Sequence, residues 1–306
     1  MPGPALTIDR QSWLLLIILS VLWGGSFFFA GLALRELPPM TVALARVALA
    51  AALIYPVFRM QGGSLPTSPA GWMPFVVMGL LNNIIPFSLI FAGQVRISSG
   101  LASVLNATTP LFTVLVLASF GDEKLILRRV VGVVIGLCGV YVLRDPSLVQ
   151  SEGQTIGMLL CLGAALSYGF SGLWGRRKFN KVPPLTTATC QLISSSIVMT
   201  FITAAVDRPW RLPMPGLATW GALFGLAALS TALAYILFFR IMARAGASNV
   251  MLVTLLIPVT AILLGVMVLG EPLSMREIAG ALVIAASLLV IDGRVPGWLR
   301  GRLAGV

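Results

Sequence analysis

Ten continuously apolar stretches, separated by short polar turns, organise the chain: 13–34, 40–60, 72–93, 98–120, 130–143, 156–174, 185–206, 217–239, 247–269 and 278–291. A helix that crosses the hydrocarbon core of a bilayer needs about 20 apolar residues, within a range of roughly 17 to 25. The fifth and tenth stretches are short, and they span only if their helices begin earlier, near Leu127 and Met275, or if the bilayer thins around them. Turn residues mark the breaks: Pro38–Pro39, Gly62–Gly63, Pro66, Pro146, Pro183–Pro184, Pro209 and Pro213. Barrel strands would alternate apolar and polar positions over about ten residues. These runs are longer and apolar throughout, and only helices or closed barrels satisfy their backbone in lipid. The pattern predicts an all-α polytopic membrane protein of ten transmembrane helices, with connections too short for a soluble domain.

Composition supports that class: 58% of the 306 residues are hydrophobic and 10% are charged, where a soluble domain carries about 25% charge. The formal net charge is +11, from 21 Lys and Arg against 10 Asp and Glu. In a soluble protein this would suggest a nucleic-acid partner. Here the basic residues lie in the turns between apolar runs, where charge sets topology, so no nucleic acid is expected and the lipid bilayer is the implied partner. With the N-terminus inside, 14 Lys and Arg fall in inner segments and 6 in outer loops. That bias predicts cytoplasmic termini. The first apolar run follows Arg10 and lacks a small-residue cleavage site, so it reads as an uncleaved first helix. Cys138, Cys161 and Cys190 lie in apolar runs and read as small buried packers. Histidine is absent and no paired-cysteine motif occurs, which excludes a histidine metal site and a Ser-His-Asp triad. No phosphate-binding loop of the Walker type is present. The chain is read as no enzyme, with no cofactor and no metal.

The two halves repeat. From Trp72 onward an offset of 148 pairs Trp72 with Trp220, Phe87 with Tyr235, Phe91 with Phe239, Pro110 with Pro258, Glu123 with Glu271 and Gly132 with Gly280. Earlier, an offset of 145 pairs Trp23–Gly24 with Tyr168–Gly169 and Pro38–Pro39 with Pro183–Pro184. The division falls at residues 1–145 and 146–306. Five helices per half is an odd number, so the second half enters the membrane inverted. Inverted repeats place a substrate site near the midplane, where the halves meet.

Polar groups inside spans usually face a cavity or another helix. Arg46 is the only charge well inside a span, roughly 10 Å beyond the helix start near Pro39 at 1.5 Å per residue. It reads either as a contact for an anion or carboxylate, or as a structural cation that satisfies helix ends or snorkels outward. Asn82, Asn83 and Pro86 form a polar break in the third helix, with Gln94 near its outer end. Ser230 and Thr231 occupy the matching place in the eighth. They fit a binding site or hydrogen bonds between helices. Asn106, Thr108 and Thr109 before Pro110, and Thr254 before Pro258, are similar. Prolines 86, 110 and 258 are candidate hinges, or merely shape their helices. Asn106-Ala107-Thr108 matches a glycosylation acceptor but lies within a span. Trp23, Phe27, Tyr168, Trp174 and Tyr235 either wall a cavity, where aromatics take apolar or cationic ligands, or pack in the core and against lipid. Trp13, Trp72, Trp220 and Trp298 sit near span ends and read as an interfacial belt. Glu123 and Glu271 are expected to cap helices or to pair with Lys124, Arg128 or Arg276. Gly132-x-x-x-Gly136 and Gly221-x-x-x-Gly225 predict close helix approaches.

Several of these elements resemble a known family. They are Leu22-Trp23-Gly24, Arg46 with its Ala- and Leu-rich sequel, and Pro110 through Gly121-Asp122-Glu123 to Gly132. The second copy of the last runs from Pro258 through Gly270-Glu271-Pro272 to Gly280. Together they resemble the paired EamA domains of the drug/metabolite transporter superfamily over nearly the whole chain. The resemblance implies a ten-helix fold with cytoplasmic termini and export of amino acids or related small metabolites, as in YddG-like members; a monomer in a bacterial inner membrane is expected. It also implies a central cavity formed mainly by helices 1, 3, 4, 6, 8 and 9, with helices 2 and 7 near it and helices 5 and 10 more as scaffold. Gln191 stands where the second copy would repeat Arg46, so the halves are chemically unequal at that level. The expected activity is alternating access around the repeat interface. Uniport or exchange is favoured, because no Asp or Glu lies deep in a span to relay protons. Export of organic cations or drugs is the alternative, followed by a channel. An intramembrane enzyme lacks the groups it would need.

Overall fold

The computed structural model describes residues 9–143, 152–245, 250 and 252–292. Helix starts are set by short-range chemistry. The Asp9 carboxylate accepts from the Ser12 amide at 2.9 Å and opens α1, Arg10–Ala33. Pro39 opens α2, Pro39–Met60, with the fixed φ that suits a first turn. Ser68 caps α3, Pro69–Gln94, and Ser98 caps α4, Ser99–Ser119, each through its hydroxyl to the amide three residues on. There follow α5, Leu127–Leu143, α6, Glu152–Lys178, and α7, Pro184–Val206. Helix α8 runs through the segments Leu217–Ala227, Ala228–Leu233 and Ala234–Ala245, and α9 through Val253–Leu264 and Gly265–Leu269. A capping box between Ser274 and Glu277 opens α10, Met275–Asp292. Gly121 and Gly270, at φ 75° and 69°, end α4 and α9 in the left-handed conformation that glycine adopts without strain.

No strand occurs among the described residues. Seven helices, α1 to α4 and α6 to α8, are long and apolar enough to cross a membrane. The shorter apolar α9 and the helices α5 and α10 complete the bundle. Their apolar flanks face outward, as a lipid-embedded surface requires: Leu14, Ile17, Phe201, Phe224 and Leu282 are all exposed. Cys138 also faces outward on α5, while Cys161 and Cys190 are buried, so one of the three cysteines is not an internal packer.

Packing follows the small residues. Helices α5 and α10 lie side by side, and a Cβ on Gly139 would sit 3.1 Å from the Ile284 amide and 3.2 Å from the Gly280 carbonyl. Gly132 and Gly136 both face Ser287 of α10, so their spacing serves this pair. In the second glycine pair only Gly225 makes a close approach, to the Phe29 ring, while Gly221 faces open space. Elsewhere α2 packs on α7, α1 on α8 and α9, and α6 on α3 and α4. The helices of the first five thus interlock with those of the second five.

Two of the apolar helices widen midway. In α3 a π turn covers Leu80–Ile84, and in α8 another covers Ala228–Leu233. Pro86 has no amide proton to offer the carbonyls behind it, and the Leu81 carbonyl accepts instead from the Ser167 hydroxyl of α6 at 2.8 Å. In α8 the Thr231 hydroxyl donates to the Leu226 carbonyl at 2.9 Å. The breaks at the other two prolines differ. Pro110 follows an interruption at Ala107–Thr108 between the two segments of α4, whereas Pro258 lies inside the unbroken segment Val253–Leu264. The distortion of α9 comes later, in the π turn Gly265–Leu269.

Candidate functional site

The π turns begin after eleven-residue segments of α3 and α8. At 1.5 Å per residue each lies about 16 Å from its helix start, near half of a hydrocarbon core of about 30 Å. Around them the bundle gathers its buried polar side chains. Arg46 on α2 is 8% exposed. Its Nε donates to the Thr231 hydroxyl at 3.1 Å, and its guanidinium carbon lies 3.8 Å from the centre of the Phe87 ring. Arg46 therefore neither snorkels nor caps a helix end. It points into the middle of the bundle, toward α3 and α8, with Tyr168 and Tyr235 within its electrostatic reach.

Asn82 stands in the π turn of α3. Its amide nitrogen is 3.4 Å from both Gln191 Oε1 and Tyr235 Oη, and its oxygen accepts from the Ser171 hydroxyl at 3.3 Å. Asn83, fully buried, donates to Ser195 Oγ at 3.0 Å and accepts from Tyr235 Oη at 3.4 Å. The bonds near 3.4 Å are longer than the usual range of about 2.7–3.2 Å, so Asn82 is held loosely. Among the described residues Ser230, Thr189 and Ser194 carry buried hydroxyls without a hydrogen-bond partner.

The cluster repeats its own geometry. Arg46 reaches the π turn of α8, while Gln191, its counterpart at an offset of 145, meets Asn82 in the π turn of α3. The π turns themselves lie at the offset of 148. Chemically the two arms differ: one ends in a cation, the other in a neutral amide.

The other expected residues lie elsewhere. Trp23 packs against Phe238, with ring centres 5.5 Å apart. Phe27 is buried in α1, and its carbonyl accepts from Gln94 Nε2 at 3.0 Å. Gln94 also donates to Ser99, at the end of the bundle that holds the α1–α2 turn. Asn106 sits at the interruption of α4 with its buried Oδ1 unpaired. Trp174 donates to the Pro74 carbonyl at 3.0 Å near the opposite end. Pro258 lines an apolar cleft of about 160 Å³ between α4, α9 and α10. Glu123 pairs with Arg129 and Arg176 rather than with Lys124 or Arg128. Glu271 accepts from the Ser99 amide and hydroxyl at 2.9 and 2.8 Å. Trp298 lies outside the described residues. Ser167, Ser171 and Ser195 were not singled out by the sequence. The available signal was the spacing of Ser167 and Ser171, one helical turn apart on the helix of Tyr168.

Such a cluster can bind and orient a small polar molecule inside an apolar bundle. It holds no described nucleophile with a general base, and no described group of three or more metal-ligating side chains. Comparison with known proteins agrees with this geometry. An "Uncharacterized transporter" of Archaeoglobus fulgidus is 26% identical over 92% of this chain and 98% of its own. The "Uncharacterized inner membrane transporter YedA" of Escherichia coli K12 is 28% identical over 91% of this chain and 90% of its own. The "Probable amino-acid metabolite efflux pump" of Salmonella typhimurium is 25% identical over 92% and 95%. A crystal structure superposes with a TM-score of 0.64 at 19% identity, covering 92% of this chain and 96% of that one, which shows a shared fold. The model of the EamA-like transporter family matches twice, over residues 11–144 and 155–292. The chain is a membrane transporter and belongs to the EamA-like transporter family.

Proposed function

We propose that this transporter exports a small carboxylate-bearing metabolite, of the amino-acid class or related to it, by alternating access around the Arg46–Asn82 cluster. The carrying observation is that a buried guanidinium, held by Thr231 of α8 and the Phe87 ring of α3, and a loosely bonded amide, Asn82 of α3 reaching Tyr235 of α8, both bridge these two helices at or beside their π turns. In this reading all ten helices cross the membrane. Residues 1–145 and 146–306 form inverted halves, and both termini lie on the cytoplasmic side of a bacterial inner membrane. The double family match, the repeated π turns and the name of the Escherichia coli relative support it. The name of the Salmonella relative supports efflux of amino-acid metabolites. The protein works as a monomer, by uniport or exchange, since no carboxylate sits in the cluster to carry a coupling proton. Organic cations are disfavoured by the charge of Arg46 itself.

Counterflow in proteoliposomes tests this. Unlabelled substrate inside is expected to accelerate entry of labelled substrate several-fold, because one site alternates between faces. Flux without acceleration by substrate on the far side would identify a channel and end the alternating-access reading. Cysteine labelling that places the first and last residues on opposite faces would end the inverted-repeat reading.

A further inference from the structure

Within the cluster, donors and acceptors are unevenly spent. The oxygens that would receive an ammonium group are all neutral: the amide oxygens of Asn82, Asn83 and Gln191, and the unpaired hydroxyls of Ser230, Thr189 and Ser194. On the donor side Arg46 spends only its Nε. Its two Nη groups donate to no partner among the described residues, and no described carboxylate pairs with it. The carboxylates of Asp9, Glu36, Asp122, Glu123, Asp207, Glu271 and Glu277 lie at the ends of the bundle, capping helices or paired with arginines. The guanidinium stays charged at any physiological pH. Stacking on Phe87 offsets part of its desolvation, by about 0.5–2 kcal/mol, which leaves a buried cation still short of an anion. Tyr168 and Tyr235 lie within its reach and keep partial exposure, which leaves aromatic surface for an apolar body.

We infer that the central site selects organic monoanions, a carboxylate on an apolar or aromatic body without an ammonium group, and that Arg46 reads their charge. This rests on the transporter reading above and narrows it. A zwitterionic amino acid would bring an ammonium that finds only neutral oxygens and no described carboxylate there, beside a guanidinium that repels it. A cation would be repelled by Arg46, and a dianion would carry a second charge with no counter-ion.

Three probes with one skeleton separate these cases: 3-phenylpropionate as the monoanion, phenylalanine as the zwitterion and phenethylamine as the cation. In counterflow with the wild-type protein, 3-phenylpropionate is expected to exchange about tenfold or more faster than the other two, equivalent to about 1.4 kcal/mol of discrimination. Arg46→Gln is expected to lower that exchange by about 30-fold or more, as removal of a buried charge partner does. Arg46→Lys keeps the cation and is expected to retain part of it. Should Arg46→Gln not fold, the wild-type ranking of the three probes decides alone. Preferential exchange of phenylalanine or phenethylamine would overturn the inference while leaving the protein a transporter. If no probe exchanges, binding settles the matter through thermal stabilisation of the purified protein. Stabilisation by 3-phenylpropionate in the wild type but not in Arg46→Gln would uphold the anion site while the transport reading fails. Absence of stabilisation, or equal stabilisation by chloride or inorganic phosphate, would overturn it.

Discussion

Asn82 and Asn83 follow one another on the π turn of α3, yet burial separates what their loss would do. Asn83 is fully buried, and its bond to Ser195 ties α3 to α7 at 3.0 Å. Replacing it by alanine is expected to lower the melting temperature in detergent, by an amount matching about 0.6–1.7 kcal/mol, the span measured for hydrogen bonds between membrane helices. Asn82 is half-buried and its contacts are long. Asn82→Ala is therefore expected to slow substrate exchange about tenfold or more, the scale of a lost hydrogen bond to a ligand, with the melting temperature unchanged. An Asn82→Ala protein with wild-type exchange kinetics would remove the residue from the site. Arg46, Asn82 and Tyr235 were legible in the sequence because a strongly polar group inside an apolar run needs a reason to be there. Ser171 and Ser195 were not. Each donates to a carbonyl of its own helix, Tyr168 and Gln191, at 2.8 and 2.7 Å. A serine satisfied in this way is tolerated in an apolar helix, and only the neighbouring helix reveals its second contact.

At the scale of elements, the apolar runs located the helices because length and continuity are what a bilayer demands. The π turns were invisible, since a local widening leaves no periodicity of its own. Proline alone misled: the helix interrupts before Pro110 but runs through Pro258, where α9 keeps its course and widens only later. A π turn carries one residue more than an α turn, so deleting Leu80 is expected to return α3 to regular helix. Asn82 and Asn83 stand inside that turn, so its loss would shift their side chains away from the partners they meet on α6, α7 and α8. Exchange is expected to be abolished while the protein still elutes as a single folded species; retained exchange would show that the widening is dispensable. The α5–α10 pair gives the opposite expectation. Gly139→Val forces a branched side chain against Gly280 and Ile284. It is expected to cost about 1–3 kcal/mol of stability, as overpacking does, with the exchange rate per folded molecule unchanged. A fall in that rate at full stability would bring these helices into the transport cycle.

Across the whole molecule, the two ends of the bundle are fastened differently. At the end with the α1–α2 turn, three carboxylates each hold the start of a helix from the other half. Glu36 accepts from the Gly216 amide at α8, Asp207 from the Thr41 amide at α2, and Glu271 from the Ser99 amide at α4, at 2.7, 2.7 and 2.9 Å. Helix starts carry partial positive charge, and such caps contribute about 0.5–2 kcal/mol each. At the opposite end Asp9 and Ser68 cap their own helices, and α7 has no side-chain cap. The halves meet there through the Trp174–Pro74 hydrogen bond, the Phe75–Phe179 and Phe120–Phe170 ring contacts, and the ion pairs Arg176–Glu123, Arg177–Asp122 and Arg244–Asp9, which water screens. Arg177 holds the Asp122 carboxyl below its ordinary range, so that pair stays charged at neutral pH and weakens only as pH falls through the lowered value. The balance favours separation at the second end, which is cytoplasmic in the proposed topology, over separation at the first. In a background with all three native cysteines replaced, Asn82→Cys is then expected to react with a membrane-impermeant thiol reagent faster from the cytoplasmic face. Adding Glu36→Gln, Asp207→Asn and Glu271→Gln together is expected to erase or reverse that preference. Each 1.4 kcal/mol of lost fastening moves the population about tenfold. Faster labelling from the outer face before those changes would mean that the capped end is the one that opens.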